Sequence, residues 1–280
     1  MPVLSDCHLH SIHSGDCSIP MSVQAAAAFR AGLKTICFTE HLDHNYRYDL
    51  NPEADCSFDL DIESYRKDYQ TLLKDTPFDM ELLFGIELGL MPDLGPYYAQ
   101  VLRDSPDFDF VIGSCHLIDG YDPYYGTLFE EHSEKEVFRR YFENLLSCIQ
   151  AVDSFDSLGH LDYVVRYGPS AGKNYRASDY MDIIDEILKI LVRRDKALEV
   201  NTKPYAKGFS QPNPDREILI RYRELGGKLL TVGADAHVPE GIGFGFGRAA
   251  GLIRGCGFDS IAVYRRDPAS GTRVPGEYGI

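Results

Sequence analysis

Two short patterns near opposite ends of the chain carry metal-ligand chemistry: His8-Leu9-His10 and Asp235-Ala236-His237. In an extended strand, residues i and i+2 point to one face, so each pattern can offer two side chains to a single cation. Neutral imidazole and carboxylate suit divalent transition metals such as zinc, manganese or iron. Most of the chain separates the two pairs. A shared site therefore requires a fold that brings the ends together, as a closed barrel does.

The elements that must position these residues alternate in type. Candidate strands are Val3–His10, Thr35–Thr39, Glu81–Leu88, Phe108–Cys115, Ser157–His160, Ala197–Thr202, Lys228–Ala234 and Ser260–Tyr264. Amphipathic segments between them predict helices near Met21–Ala31, Ile62–Lys74, Gly95–Arg103, Glu134–Val152, Ser178–Arg193, Asp215–Leu225 and Phe246–Cys256. Gly32 reads as a helix stop, Pro214-Asp215 and Ser178 as starts. Regular βα alternation implies a parallel sheet with crossover helices. His8, His10, Glu40-His41, Glu87, Cys115-His116, His160, Asn201, Asp235 and His237 all fall at or just past strand ends. A TIM-like barrel collects its reactive residues on that face, whereas a doubly wound sheet gathers them at one switch point. The distribution favours the barrel, built as one domain over 1–280 because no composition shift or low-complexity linker divides the chain.

The bulk properties narrow the class. The chain has 280 residues, 44% hydrophobic and 25% charged, which fits a globular α/β protein. No apolar run reaches membrane-spanning length and no basic-then-apolar leader opens the chain, so no membrane association is expected. Seven scattered cysteines without a C-x-x-C pair point to a reducing compartment, and a cytoplasmic location is expected. A net charge of −15 argues against a nucleic-acid surface, which needs Lys/Arg neutralisation of phosphates. It leaves room for a small phosphorylated substrate, because bound divalent cations reverse the sign of a carboxylate-rich site. Oligomeric state is not encoded in these features.

Nine metal-capable residues recur at the strand ends: His8, His10, Asp16, His41, Glu87, His116, His160, Asp235 and His237. Each alone reads as a hydrogen-bonded structural residue; the joint pattern does not. The stretches Asp6-Cys7-His8-Leu9-His10, Phe38-Thr39-Glu40-His41, Gly85-Ile86-Glu87, Gly113-Ser114-Cys115-His116, Gly159-His160 and Gly233-Ala234-Asp235-Ala236-His237 occur in one order across the chain. In them the sequence resembles the PHP (polymerase and histidinol phosphatase) family. Gly113–Ile118, Gly159–Val164 with Arg166-Tyr167-Gly168, and Leu198–Thr202 are similar to its histidinol-phosphate phosphatase branch.

The resemblance implies a distorted (β/α)7 TIM-like barrel with three divalent ions and phosphoester hydrolysis, with L-histidinol phosphate the first-ranked substrate. It implies His8, His10, Glu87 and Asp235 on one metal, with Glu87 bridging to a second completed by His116 and His160. Asp16, His41 and His237 would hold the third. Glu40 stands where many members carry Asp, and is expected behind His41 rather than on a metal. Such ions can bind phosphate oxygens, neutralise charge in the transition state and acidify a bridging water, whose hydroxide would attack phosphorus in line. Asp235 and His237 are the candidate acids for the leaving alkoxide. Asp6, Glu40 and Asp162 are candidate acceptors for ligand imidazole N–H groups, or solvated strand-end acids.

A phosphate monoester invites cationic clamps. Arg166, Lys203, Lys207 and Arg248 lie in loops after candidate strands, Arg166 being the first choice because it follows His160. The aromatic segment Asp119–His132, with Tyr121, Tyr124, Tyr125 and Phe129, reads either as a lid or as an Ω-loop packed on itself. Within it Glu130, Glu131 and His132 are candidate contacts for a cationic substrate group. His13 and His44 read as rim residues, Cys7 and Cys115 as buried small hydrophobes, and Gly243–Gly247 as a helix entrance without dinucleotide-binding spacing. Other readings are a related phosphoesterase acting on a nucleotide bisphosphate or phosphotyrosine, an amidohydrolase-like barrel, a polymerase accessory domain, and an inert metal-stabilised barrel.

Overall fold

The computed structural model describes residues 3–280. Seven parallel strands pair in sequence order: β1 (Ser5–Leu9), β2 (Thr35–Leu42), β3 (Glu81–Gly89), β4 (Phe110–Ser114), β5 (Ser157–Leu158), β6 (Ala197–Asn201) and β7 (Leu230–Gly233). The sheet curls until β1 meets the end of β7. There the Asp235 N–H donates to the His8 carbonyl (2.7 Å) and the His10 N–H to the Ala236 carbonyl (3.0 Å). The result is a nearly closed α/β barrel of the distorted TIM-like (β/α)7 kind, and its closure brings the two X-x-X patterns side by side.

The helices on the outside are α1 (Met21–Arg30), α2 (Ile62–Asp75), α3 (Gly95–Asp104), α4 (Thr127–Glu131), α5 (Glu134–Ala151), α6 (Met181–Arg193), α7 (Lys203–Ala206), α8 (Arg216–Glu224) and α9 (Phe246–Gly255). Their apolar stripes set the packing. In α6, Ile183, Ile184, Ile187, Leu188, Ile190 and Leu191 are buried at helical spacing, each contributing about 1.5–3 kcal/mol relative to exposure. Local signals start and stop these helices. Ser133 and Glu136 form a capping box on α5, Asp215 caps α8 through the Glu217 N–H, and Gly32 follows α1 at a φ of 81°. Ser178 sits instead in a 3₁₀ turn, Ala177–Tyr180, ahead of α6. Among the described residues, no helix is long and apolar enough to cross a membrane.

The expected eighth strand does not join the barrel. Strand β8 (Ser260–Arg266) pairs antiparallel with β9 (Arg273–Gly279), a strand the sequence pattern did not reveal. Ala262, Val263 and Tyr264 pack with Cys7, Cys37, Leu83, Phe110, Ile112 and Ala197, so the hairpin plugs the end of the barrel where the strands begin. Alternating β character records a strand and a buried face, but not the partner it pairs with. Cys7 thus belongs to this plug, and Cys115 is likewise buried, as expected for small hydrophobes.

At the other end, close approach replaces apolar filling. A Cβ at Gly233 would overlap the His8 side chain, and one at Gly89 would overlap the Asp43 carboxylate. Only glycine lets the two polar side chains occupy those places.

A candidate metal centre at the strand ends

Glu87 stands at the middle of the site, fully buried on β3 and opposite His41 on β2. Its two carboxylate oxygens face different histidines. Oε2 lies 3.1 Å from His8 Nε2, 3.6 Å from His10 Nε2 and 3.0 Å from His41 Nδ1. Oε1 lies 3.0 Å from His160 Nε2 and 3.4 Å from His116 Nε2. His10 Nε2 is also 3.6 Å from Asp235 Oδ1. Asp16 Oδ2 is 3.0 Å from His237 Nε2 and 3.7 Å from His41 Nε2. All nine residues singled out in the sequence therefore converge on one cluster.

The supporting bonds prepare several imidazoles as donors. His8 Nδ1 contacts Glu199 Oε1 at 2.6 Å and His116 Nδ1 contacts Asp43 Oδ1 at 2.7 Å. His10 Nδ1 meets Ser14 Oγ (3.1 Å), which donates to Glu40 Oε2 (2.6 Å). With Nδ1 engaged outward, each ring turns its Nε2 toward the centre, where a bound cation would take the place of any proton. His8 Nε2, His10 Nε2, His41 Nδ1 and Glu87 Oε2 are buried without a hydrogen-bond partner, although the three nitrogens lie 3.0–3.6 Å from that oxygen. Unsatisfied buried donors and acceptors are costly. Their spacing is close to the edge of about 3.3 Å expected between ligands that share a cation bound at about 2.0–2.1 Å. The donor set fits divalent transition metals. Four groups could each hold an ion: His8–His10–Glu87, Glu87–His116–His160, His10–His41–His237 and His41–Asp43–His116.

Charge explains the protonation of the cluster. Burial alone would raise the Glu87 carboxyl, but His8, His41 and His116 outweigh it and hold it well below the usual range. Burial pulls His41 down, yet Asp16 and Glu87 lift it to about 9. A cation entering this cluster must displace the proton on His41, so its affinity rises with pH and levels off above about 9. Zinc titration calorimetry in buffers of different ionisation enthalpy should register proton release at neutral pH; pH-independent uptake would contradict the assignment.

Two carboxylates that the sequence reading did not single out do much of the supporting. Glu199 spans β1 and β5, accepting from the His160 N–H through Oε2 (2.8 Å) besides contacting His8. Asp43 orients His116. Both obey the i, i+2 rule already applied to His8 and His10, in His41-Leu42-Asp43 and Glu199-Val200-Asn201. Glu199→Gln should weaken metal binding by about 10–100-fold while leaving the fold intact; unchanged affinity would make Glu199 a packing residue only. The three acids that were candidates divide differently. Asp6 accepts the backbone N–H groups of His8, Ala234 and Gly243 and so ties β1 to the β7 loop, with burial raising its carboxyl to about 6. Glu40 supports His10 through Ser14. Asp162 accepts from Asn213, with burial raising it to about 7.

Beside the cluster opens a cavity of about 350 Å³. Arg166, Lys203 and Lys207 line it, whereas Arg248 does not: it stacks on Tyr205 (4.0 Å) and donates to the Ser210 carbonyl. The loop leading into α9 turns it away from the strand ends. Arg166 is buried and triply engaged, with Nη1 on Asp235 Oδ2 (2.9 Å), Nη2 on Asn201 Oδ1 (2.7 Å) and Nε on Asn213 Oδ1 (2.5 Å). Lys203 Nζ reaches Asp235 Oδ1 (3.0 Å) and His237 Nδ1 (2.9 Å). Burial favours a protonated Asp235, but Lys203, His10, His8 and Arg166 hold it well below the ordinary carboxylate range. Asp235 is therefore an anion, poorly suited to donate a proton. Its left-handed backbone (φ 52°) is a strained conformation of the kind found at functional sites.

The lining is also aromatic and acidic. Tyr124 and Tyr125 of the Asp119–His132 segment line the cavity with Tyr46 and Asp122. Asp122, missed in the sequence, accepts from the Tyr46 hydroxyl (3.0 Å) and the Tyr124 N–H (2.8 Å). The segment is a 3₁₀ turn (Pro123–Tyr125) followed by α4, which carries Glu130 and Glu131 on its exposed side; neither they nor His132 line the cavity. His13 pairs with Asp68 and His44 with Asp59, both outside it. Gly243–Gly247 forms the turn into α9.

This arrangement has known counterparts. A histidinol-phosphatase of Lactococcus lactis is 34% identical over 92% of this chain and 93% of its own length. A Clostridium acetobutylicum protein named "Probable histidinol-phosphatase" is 32% identical over 93% of this chain and 97% of its own. The crystal structure of histidinol phosphate phosphatase from Lactococcus lactis, complexed with zinc, L-histidinol and phosphate, superposes with a TM-score of 0.82. It is 31% identical, with 94% of this chain and 97% of that one covered. The PHP domain model matches residues 6–203, a span that holds seven of the nine clustered residues, and the chain belongs to the PHP domain family.

Proposed function

We propose that this protein is a metal-dependent phosphatase that hydrolyses L-histidinol phosphate to L-histidinol and phosphate. The observation that carries the reading is the mixed lining of the cavity. Arg166, Lys203 and Lys207 line it together with residues of the metal cluster, and so do Asp122, Tyr46, Tyr124 and Tyr125. A substrate that joins a phosphate to an ammonium and an imidazole matches that lining. The relatives named for this activity, and the Lactococcus lactis structure holding zinc, L-histidinol and phosphate, support the same substrate.

Divalent ions, three by the family pattern and drawn from zinc, manganese or iron, would supply charge neutralisation at phosphorus and an activated water. They would be held by His8, His10, Glu87 and Asp235; by Glu87, His116 and His160; and by Asp16, His41 and His237. Lys203 and Lys207 would draw the phosphate into the cavity, and Arg166 would hold Asp235 in place while facing the phosphate. Tyr46, Tyr124 and Tyr125 would exclude water from the leaving group, and Asp122 would take its ammonium or imidazolium. With Asp235 held as an anion, His237 is the remaining candidate of the two for protonating the leaving alkoxide, a role open to it only while its ring is not committed to a metal; Lys203 stands 2.9 Å from its Nδ1.

The test compares phosphate release from L-histidinol phosphate, a nucleoside 3′,5′-bisphosphate and phosphotyrosine after metal reconstitution. The expected result is a preference for histidinol phosphate of at least about 100-fold in kcat/KM, because a site built to pair polar groups penalises analogues that leave them unpaired. Faster turnover of the bisphosphate would overturn the substrate and retain the phosphatase chemistry.

A further inference from the structure

Behind Arg166 lies a second cavity, of about 480 Å³, that the reaction does not use. Arg166 lines both chambers and forms part of the partition between them. The far wall comes from the loop at Ala171–Arg176 and the stretch Gly208–Asn213, which folds back along β6 through paired Asn201 and Asn213 backbone bonds (2.7 and 3.0 Å). Two polar atoms of this lining are buried without a partner: the Tyr175 hydroxyl and Gln211 Oε1. Tyr175 as a whole is only 8% exposed. Its hydroxyl faces the Asp162 carboxylate, whose two oxygens already accept from Asn213 Nδ2 and the Asp215 N–H, and it makes no hydrogen bond of normal geometry. Buried polar groups left open in this way are uncommon and call for an explanation.

The chemistry of the cavity is graded. Acceptors gather within: Gln211 Oε1, the tyrosine oxygen and the carboxylates of Asp162 and Asp215. The exposed cations Lys173 and Arg176 stand at the mouth. We propose that this cavity binds a small zwitterion, with N–H donors at its inner end and a carboxylate at the mouth, and that occupancy is transmitted to Arg166. A free amino acid is the chemical class that fits, and the volume lies in the range of small-molecule sites. The route to Arg166 is short. Asp162 Oδ1 accepts from Asn213 Nδ2 (2.6 Å), and Asn213 Oδ1 accepts from Arg166 Nε (2.5 Å). A ligand that draws on Tyr175 and Asp162 loads this chain, and any shift of Asn213 moves the guanidinium that also holds Asp235. The transmission half rests on the phosphate-facing role of Arg166 proposed above; the binding half does not.

The experiment uses the full metal-loaded chain with L-histidine and L-arginine as probes, and L-lactate as a carboxylate without an N–H end. Calorimetry should detect saturable binding of at least one amino acid below about 10 mM and none of lactate. Tyr175→Phe should weaken that binding about five- to tenfold, the worth of one hydrogen bond, with a nearly unchanged melting temperature because the hydroxyl makes no hydrogen bond of normal geometry to the protein. Ser210→Trp, at the exposed edge of the lining, should abolish it. The bound amino acid should also change KM for the phosphomonoester by at least about threefold in the wild type and not in Ser210→Trp. Absence of binding by both amino acids overturns the proposal, leaving a water-filled space. Binding that both variants retain, or inhibition that persists in Ser210→Trp, places the ligand elsewhere and overturns it too. Binding sensitive to both variants with unaltered kinetics overturns the transmission half and leaves the phosphatase reading untouched.

Discussion

Replacing Glu87 by Gln is expected to remove about two of the three metal equivalents proposed and to lower kcat by at least about 1000-fold, because a multinuclear centre supplies most of the charge stabilisation for phosphoryl transfer. The reason lies in how its two oxygens are divided. Oε2 serves the His8, His10 and His41 side, and Oε1 serves His116 and His160. An amide keeps the shape but offers one oxygen and one N–H pair, so one of the two sides meets a donor where it needs an acceptor. The metal-free variant should still fold, since the substitution is isosteric and leaves the β3 pairing untouched. Metal analysis after reconstitution, read together with turnover, decides the matter. A fully loaded Gln variant would remove Glu87 from the bridging place proposed for it.

Arg166→Met is expected to lower kcat/KM by about 100–1000-fold, the range for losing one preorganised donor facing developing charge. It should also cost stability. Asp235, Asn201 and Asn213 would each lose a buried guanidinium contact, and stranding a buried carboxylate costs about 3–5 kcal/mol. Lys203, still 3.0 Å from Asp235, offsets part of that loss. Arg166→Lys separates charge from geometry: it keeps a cation but cannot span three oxygens at once. Its unfolding midpoint should recover most of the lost stability while kcat/KM stays low. Equal recovery of both would reduce Arg166 to a counter-ion for Asp235.

The site residues differ in how far local pattern exposes them. His8, His10, Asp235 and His237 are visible because paired ligand types two residues apart are a local signal that needs no knowledge of partners, although Asp235, past the end of β7 with a left-handed backbone, does not owe its direction to strand alternation. Asp43 and Glu199 satisfy the same rule. A strand-end carboxylate, however, looks alike whether it meets water or an imidazole nitrogen; Glu199 finds His8 across 191 positions of chain. Asp122 sits in an irregular segment where no periodicity operates, and the acids that the sequence pattern offers there are Glu130 and Glu131, which helix α4 carries outward. Arg248 was a reasonable clamp by order along the chain, yet the turn into α9 sends it over Tyr205.

The same division runs through the fold. Seven of the expected strands and all seven expected helices form near their predicted places, because each rests on a local period, a cap or a stop. The eighth strand forms too, but in a hairpin, and its partner Arg273–Gly279 escaped notice because Pro275 and Gly276 interrupt its β pattern. The sequence by itself determined which residue types stand at the strand ends, hence a metal-binding barrel with its chemistry on one face. Only the tertiary structure decided which oxygen of Glu87 faces which histidine, which acids turn the imidazoles inward, and how Arg166 is held between two cavities. Those facts depend on contacts between residues far apart in the chain, and such contacts exist only once the barrel closes.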